Sequence, residues 1–203
     1  MSKPFAAITA TMVLVSACAS TPRPSNAEIS DACLMLKENR SWYKALRESS
    51  RDWGAPIGLQ LAIMNQESGF DGKARPEREG GFLFFPGKRP STAYGYAQAL
   101  TSTWDTYKRD TGNGGADRHS FRDAADFIGW YVNETGERTG VGQYDYRAHY
   151  LAYHEGQGGY MKGSWKKKRW LIDTANRVSA QATRYENQVL NCRGLKAKFL
   201  GIF

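Results

Sequence analysis

The sequence predicts a mainly α-helical domain, with a long loop or small hairpin interrupting the helices after Phe70. Near the C-terminus Leu171, Ala175, Val178, Ala182, Tyr185 and Val189 recur at strict helical spacing. No segment of length alternates apolar and polar residues as a half-buried strand does. The 203 residues, 41% hydrophobic and 13% aromatic, suffice for one sizeable core and exclude a disordered chain.

Met1 to Ala17 carries one Lys, an apolar run from Phe5 to Val15 and small residues before Cys18, the layout of a secretory signal too short to span a membrane. Val15-Ser16-Ala17-Cys18 resembles a bacterial lipobox, in which the Cys is acylated and becomes the mature N-terminus. The chain then divides into a signal peptide (1–17), a lipidated tether (18–26) and one domain (27–203). Acyl chains on Cys18 would hold the protein on a lipid bilayer, each buried methylene adding about 0.8 kcal/mol. Ala19 rather than Asp follows the Cys, which in similar lipoproteins goes with the periplasmic side of the outer membrane. The tether, ASTPRPSN from Ala19 to Asn26, is polar with two prolines and is expected to lack fixed structure.

From Ala27 to Trp53 the apolar residues Ile29, Cys33, Leu36, Trp42 and Leu46 fit a helix or helix pair ended by Gly54. Pro56 can open the next helix, since the amide it lacks would be unpaired there anyway. In the stretch PIGLQLAIMNQESGF, Ile57, Leu61 and Met64 then share a stripe, and Ile63 with Glu67 shares its neighbour. Glu67 falls in the last turn. A carboxylate there meets the negative end of the helix dipole and loses hydration to apolar neighbours, and both favour its protonated form. Those are the conditions of a general acid near neutral pH.

Between Asp71 and Tyr94 periodicity stops, and Gly, Pro, Lys and Arg surround an aromatic run from Phe82 to Phe85 that would pack as a flap or line a substrate site. Thr101 or Ser102 can cap a short helix carrying Trp104 and Tyr107, and Gly112 to Gly115 breaks the chain. Ser120 with Asp123 resembles a capping box for a helix bearing Phe127, Ile128, Tyr131 and Val132. Asp145 can cap a helix running through Tyr150 and Tyr153 and stopping at Gly156 and Gly158. The long C-terminal helix follows and brings Cys192 round to its apolar side. In an exported chain Cys33 and Cys192 read as a disulfide rather than a zinc site, which would need further Cys or His at short spacing. Closing so long a loop is worth about 5 kcal/mol by chain entropy.

The formal net charge of +8 suits an anionic partner: nucleic acid, a membrane surface or an acidic polymer. Export and an anchor argue against nucleic acid, and neither a metal-ligand set nor a phosphate-binding glycine loop is visible, so no cofactor or metal is expected. The run WKKKRW, Trp165 to Trp170, could grip anionic lipid, nucleic acid or glycan-linked carboxylates, or be a solvated face.

Three separated motifs bear on function: Glu67-Ser68-Gly69-Phe70, Gly95-Tyr96-Ala97-Gln98, and Ala152-Tyr153-His154-Glu155-Gly156. In that order they resemble the lytic transglycosylase SLT family over about residues 54–192. The resemblance implies a lysozyme-like (goose-type/SLT) helical fold and a peptidoglycan glycan strand as substrate, with Glu67 on the position of the catalytic acid. The family's second motif is usually G-L-M-Q and its third A-Y-N-A-G; here Tyr96 and Ala97 replace Leu and Met, and His154 and Glu155 replace Asn and Ala. The resemblance makes Gln98 a sugar-binding amide, puts Tyr96 or Ala97 on the floor of the site, and aims the Tyr153 hydroxyl at the catalytic centre. Ser68, Tyr153 and Ser91 are candidates to orient the carboxylate or the substrate N-acetyl group. His154 reads as structural, since no Ser/His/Asp set accompanies it. Glu155 either pairs at a helix end or, as a second acid, would make the enzyme a muramidase. A third alternative is a wall-binding lipoprotein with an inactive cleft. A monomer is expected.

Overall fold

The computed structural model describes residues 23–80 and 87–196. Cys18 with its lipobox, and the aromatic run from Phe82 to Phe85, lie outside the described residues. The architecture is helical: α1 (Asn26–Ser30), α2 (Ala32–Glu38), α3 (Arg40–Trp53), α4 (Ile57–Ser68), α5 (Thr101–Thr111), α6 (Phe121–Thr139), α7 (Tyr146–Lys162), α8 (Arg169–Leu190) and α9 (Arg193–Lys196). Among the described residues extended pairing is limited to two isolated antiparallel bridges, Glu79 with Lys88 and Tyr94 with Ala99. The stretch after α4 is therefore a loop pinched like a hairpin. No helix among the described residues is long and apolar enough to cross a membrane.

At the centre lies α4, in which every residue from Gly58 to Met64 is buried. It is buried all round, as a helix surrounded by others is, rather than striped on two neighbouring faces, and its buried Gln60 amide donates to Leu46 O and Ala55 O. Its main partner is α8, while α3 packs on α6 and α7 on α8. Gly58 lets α4 and α8 touch: a Cβ there would meet the backbone of α8, 2.5 Å from Glu186 N. Glu186 Oε2 also accepts the Gly58 N–H at 2.6 Å, so a side chain of α8 caps the start of α4. A second layer is aromatic. Trp42 stacks on Phe121 at 3.9 Å, and Tyr96 meets both rings edge-on.

Several expected boundaries move. The first helical stretch is three helices, because Asp31 accepts from the Cys33 and Leu34 amides and starts a new helix. Residues 23–26, expected to be tether, are held: Arg23 Nε donates to Gly69 O at 2.7 Å, and Ser25 with Glu28 forms a capping box on α1. Leu100, not Thr101 or Ser102, is the N-cap of α5 and makes no side-chain cap bond. Ser120 caps α6 as expected, but the Asp123 carboxylate accepts from Asp117 N instead of closing a box. Helix α7 does not stop at Gly156. It breaks there, with φ 72° and ψ 152°, and resumes to Lys162. Cys33 and Cys192 form a disulfide that ties α2 to the end of α8 across a sequence separation of 159.

Candidate active site

Glu67 stands one residue before the end of α4, and the next residues fix that end. Gly69, at φ 56°, donates its N–H to Asn65 O and closes the helix in the left-handed conformation. Phe70 then enters the core, 1% exposed, with its ring stacked on Trp42. The short motif is thus a helix stop and an anchor that hold the carboxyl in place.

Gly95 to Gln98 forms a tight turn under the Tyr94–Ala99 bridge, with positive φ at both Gly95 (75°) and Gln98 (45°). A side chain at Gly95 would collide with the Arg118 carbonyl. Ser68 Oγ donates to Tyr96 O at 2.9 Å, shared with Met64 O at 3.1 Å, and Tyr153 Oη donates to Ala97 O at 2.6 Å. The turn is bolted to α4 on one side and α7 on the other. All three motifs meet around one cleft of about 310 Å³, lined by Glu67, Gln98, Leu100, Tyr131, Tyr153, His154 and Glu155 among others.

The two carboxyl groups in this cleft are opposites. Burial pushes Glu67 up to about 7, an effect reduced by Tyr150, whose hydroxyl donates to Glu67 Oε1 at 3.0 Å. Glu155 is held down to about 2, first by Lys168, whose Nζ lies 2.7 Å from its Oε1, and then by Ser164 Oγ. His154 Nδ1 approaches the same oxygen at 3.1 Å. Near neutral pH Glu67 can carry a proton; Glu155 is an ion already matched by a cation. Burial, and after it the negative charge of Glu67, drive the Tyr150 and Tyr153 hydroxyls above their ordinary range, so both remain donors.

The residues singled out in sequence separate into those that face the cleft and those that hold it. Glu67, Gln98, Tyr153, His154 and Glu155 share its wall. Gln98 nevertheless spends its amide nitrogen on Ala74 O (3.0 Å) and Gly95 O (2.9 Å), pinning the loop. Tyr153 donates to Ala97 O, not to Glu67. Ser68 serves backbone carbonyls rather than the carboxylate. Tyr96 is 6% exposed and packs in the Trp42–Phe121 cluster, so it does not floor the cleft. Ser91 lines a different pocket, where its Oγ accepts from Ala93 N. The tryptophans of the basic run are placed: Trp165 stacks on Tyr160, and Trp170, 57% exposed, meets His154 edge-on at 5.1 Å.

Sequence reading missed Tyr150 as the direct partner of Glu67. Its signal was the spacing of three from Tyr153, which puts both hydroxyls on one face of α7. A larger pocket of about 360 Å³, lined by Glu48, Asp52, Arg122 and Asp126 among others, lies on the α3–α6 side away from Glu67. Among the described residues no group of His, Cys, Asp and Glu side chains is arranged to hold a metal ion.

The family model described as Transglycosylase SLT domain matches residues 6–192. No curated protein matches the chain.

Proposed function

Since the chain belongs to the transglycosylase SLT domain family, whose members act on peptidoglycan, we propose that it is a lytic transglycosylase in which Glu67 is both acid and base. The observation that carries this reading is a half-buried carboxyl group at a helix end, facing a cleft and hydrogen-bonded to Tyr150, which desolvation pushes up to about 7. Protonated Glu67 gives its proton to the glycosidic oxygen between N-acetylmuramic acid and N-acetylglucosamine as the C1–O bond breaks. The carboxylate then takes the proton of the muramic 6-hydroxyl while O6 bonds to C1. The product is a 1,6-anhydro sugar, and no water is consumed. Preorganised intramolecular attack gives that hydroxyl an effective concentration water cannot match. Tyr150 positions the carboxyl, and Tyr153, through Ala97, positions the turn that faces it.

A hydrolase using Glu155 as second carboxylate is the reading that ionised Glu155 in the same cleft would favour. Its pairing with Lys168, Ser164 and His154 argues against it, because those donors occupy most of the oxygens' acceptor capacity. In this account Cys18 carries the lipid that anchors the enzyme at the periplasmic face of the outer membrane. Lysis of purified cell wall tests the enzymatic reading. Wild type clears it and Glu67→Gln loses about 10²–10⁴-fold of that rate with its fold intact. A wild-type protein that binds wall without clearing it would make the chain a binding lipoprotein.

A further inference from the structure

Next to the cleft is a second pocket, of about 320 Å³. Leu100 lines the cleft and the following residue, Thr101, lines this pocket, so the two are neighbours across the start of α5. Arg75, Arg89 and Arg118 converge on it with Ser91, Thr92 and Tyr94.

Neutral groups hold the three guanidinium groups in place. Arg75 lies over the Tyr94 ring at 4.2 Å and Arg118 over the same ring at 5.4 Å. Arg118 Nη1 donates to Thr92 O at 2.8 Å and Ala99 O at 2.9 Å, and Arg89 Nη1 donates to Pro76 O. Among the described residues none of the three is in an ion pair. Three like charges around one concavity repel each other, and an anion would relieve that repulsion. Helix α5 starts here without a side-chain cap, which adds the positive end of its dipole. The planar fork of a guanidinium matches a carboxylate or a phosphate.

We propose that Arg75, Arg89 and Arg118 form an anion site that takes carboxylates of the stem peptides borne by the glycan in the cleft. The choice of carboxylate rests on the peptidoglycan reading above. Stems branch sideways from muramic residues, and a pocket one residue from the glycan cleft lies where such a branch would run. The site would select stem-bearing strands over stripped ones.

Calorimetric titration of the full chain tests it with three probes: a stem tetrapeptide with free carboxylates, the same peptide with every carboxylate amidated, and inorganic phosphate. Each is repeated on the Arg75→Gln/Arg89→Gln double variant. Arg118 is left intact because its carbonyl bonds brace the loop. The free-acid peptide should bind wild type, with affinity falling about tenfold or more on amidation and likewise in the variant. Equal binding of the two peptides, or no binding of either, overturns the site, and the amidated peptide reads this on wild type alone. Phosphate binding more tightly than the peptide, and losing affinity in the variant, overturns the carboxylate assignment in favour of a phosphate site. Wall lysis is read separately: clearing without peptide binding overturns the pocket alone, and peptide binding without clearing overturns the enzymatic reading alone.

Discussion

A carboxyl group that keeps its proton to about pH 7 makes a stability statement as well as a catalytic one. In the unfolded chain Glu67 ionises near its ordinary value of 4.5, so below that pH both states hold the proton and nothing is lost. As pH rises from 4.5 to about 7 the folded state keeps a proton that the unfolded state releases, and stability falls; above 7 the loss is complete. Glu67→Gln should therefore be more stable than wild type at pH 8, by up to about 3 kcal/mol, with the gain vanishing towards pH 4.5. Urea denaturation across that range checks it; equal stability at pH 8 would mean that the carboxyl is solvated. Tyr150→Phe removes the bond that lowers Glu67. The alkaline limb of kcat/KM should move to higher pH while kcat drops, and a drop without the shift would leave Tyr150 with a merely structural role. Glu67 was legible from its motif because helix end, Gly stop and Phe anchor are consecutive in sequence. Tyr150 was not, since its bond exists only where α7 crosses the end of α4. Nor were the duties of Ser68 and Gln98, because hydroxyl and amide side chains serve backbone carbonyls as readily as substrates.

Helix α4 sets the position of Glu67, and its seat is the close approach to α8. Gly58→Ala should push the two helices apart and cost about 1–3 kcal/mol in urea denaturation. It should also lower activity more than a surface alanine would, since the Glu186 cap moves with it; unchanged stability would mean that the interface has slack. At this scale helical spacing was a good guide to α8, whose buried residues keep to one stripe, but in α6 it did not show the unbroken buried run from Phe127 to Val132. Spacing misjudged α4, which is covered all round. Gly156 looked like a terminus and is instead a break within α7. The segment beyond it is held by Ser164 Oγ on Gly159 O and by Trp165 against Tyr160. Contacts so near in sequence, but formed only after the chain turns, leave no periodic trace.

Across the molecule, the disulfide joins α2 to Cys192, just past the end of α8, and so closes nearly the whole domain in one loop. Reduction, or Cys33→Ala with Cys192→Ala, should cost about 2–5 kcal/mol and lower Tm while leaving the cleft assembled, as judged by residual lysis at low temperature. The pairing was readable from the signal-like start of the sequence, which makes an oxidised pair the expectation, and from the lack of further Cys or His at metal-ligand spacing. The placement of the cleft was not, because it needs α4, the Gly95–Gln98 turn and α7 brought together from distant parts of the chain. What such a cleft does with one protonatable carboxyl is decided by its product. Mass spectrometry of the muropeptides released from purified wall should find 1,6-anhydro-muramic ends formed by wild type and absent with Glu67→Gln. Reducing muramic ends alone would contradict the single-carboxylate account and return the second acid role to Glu155.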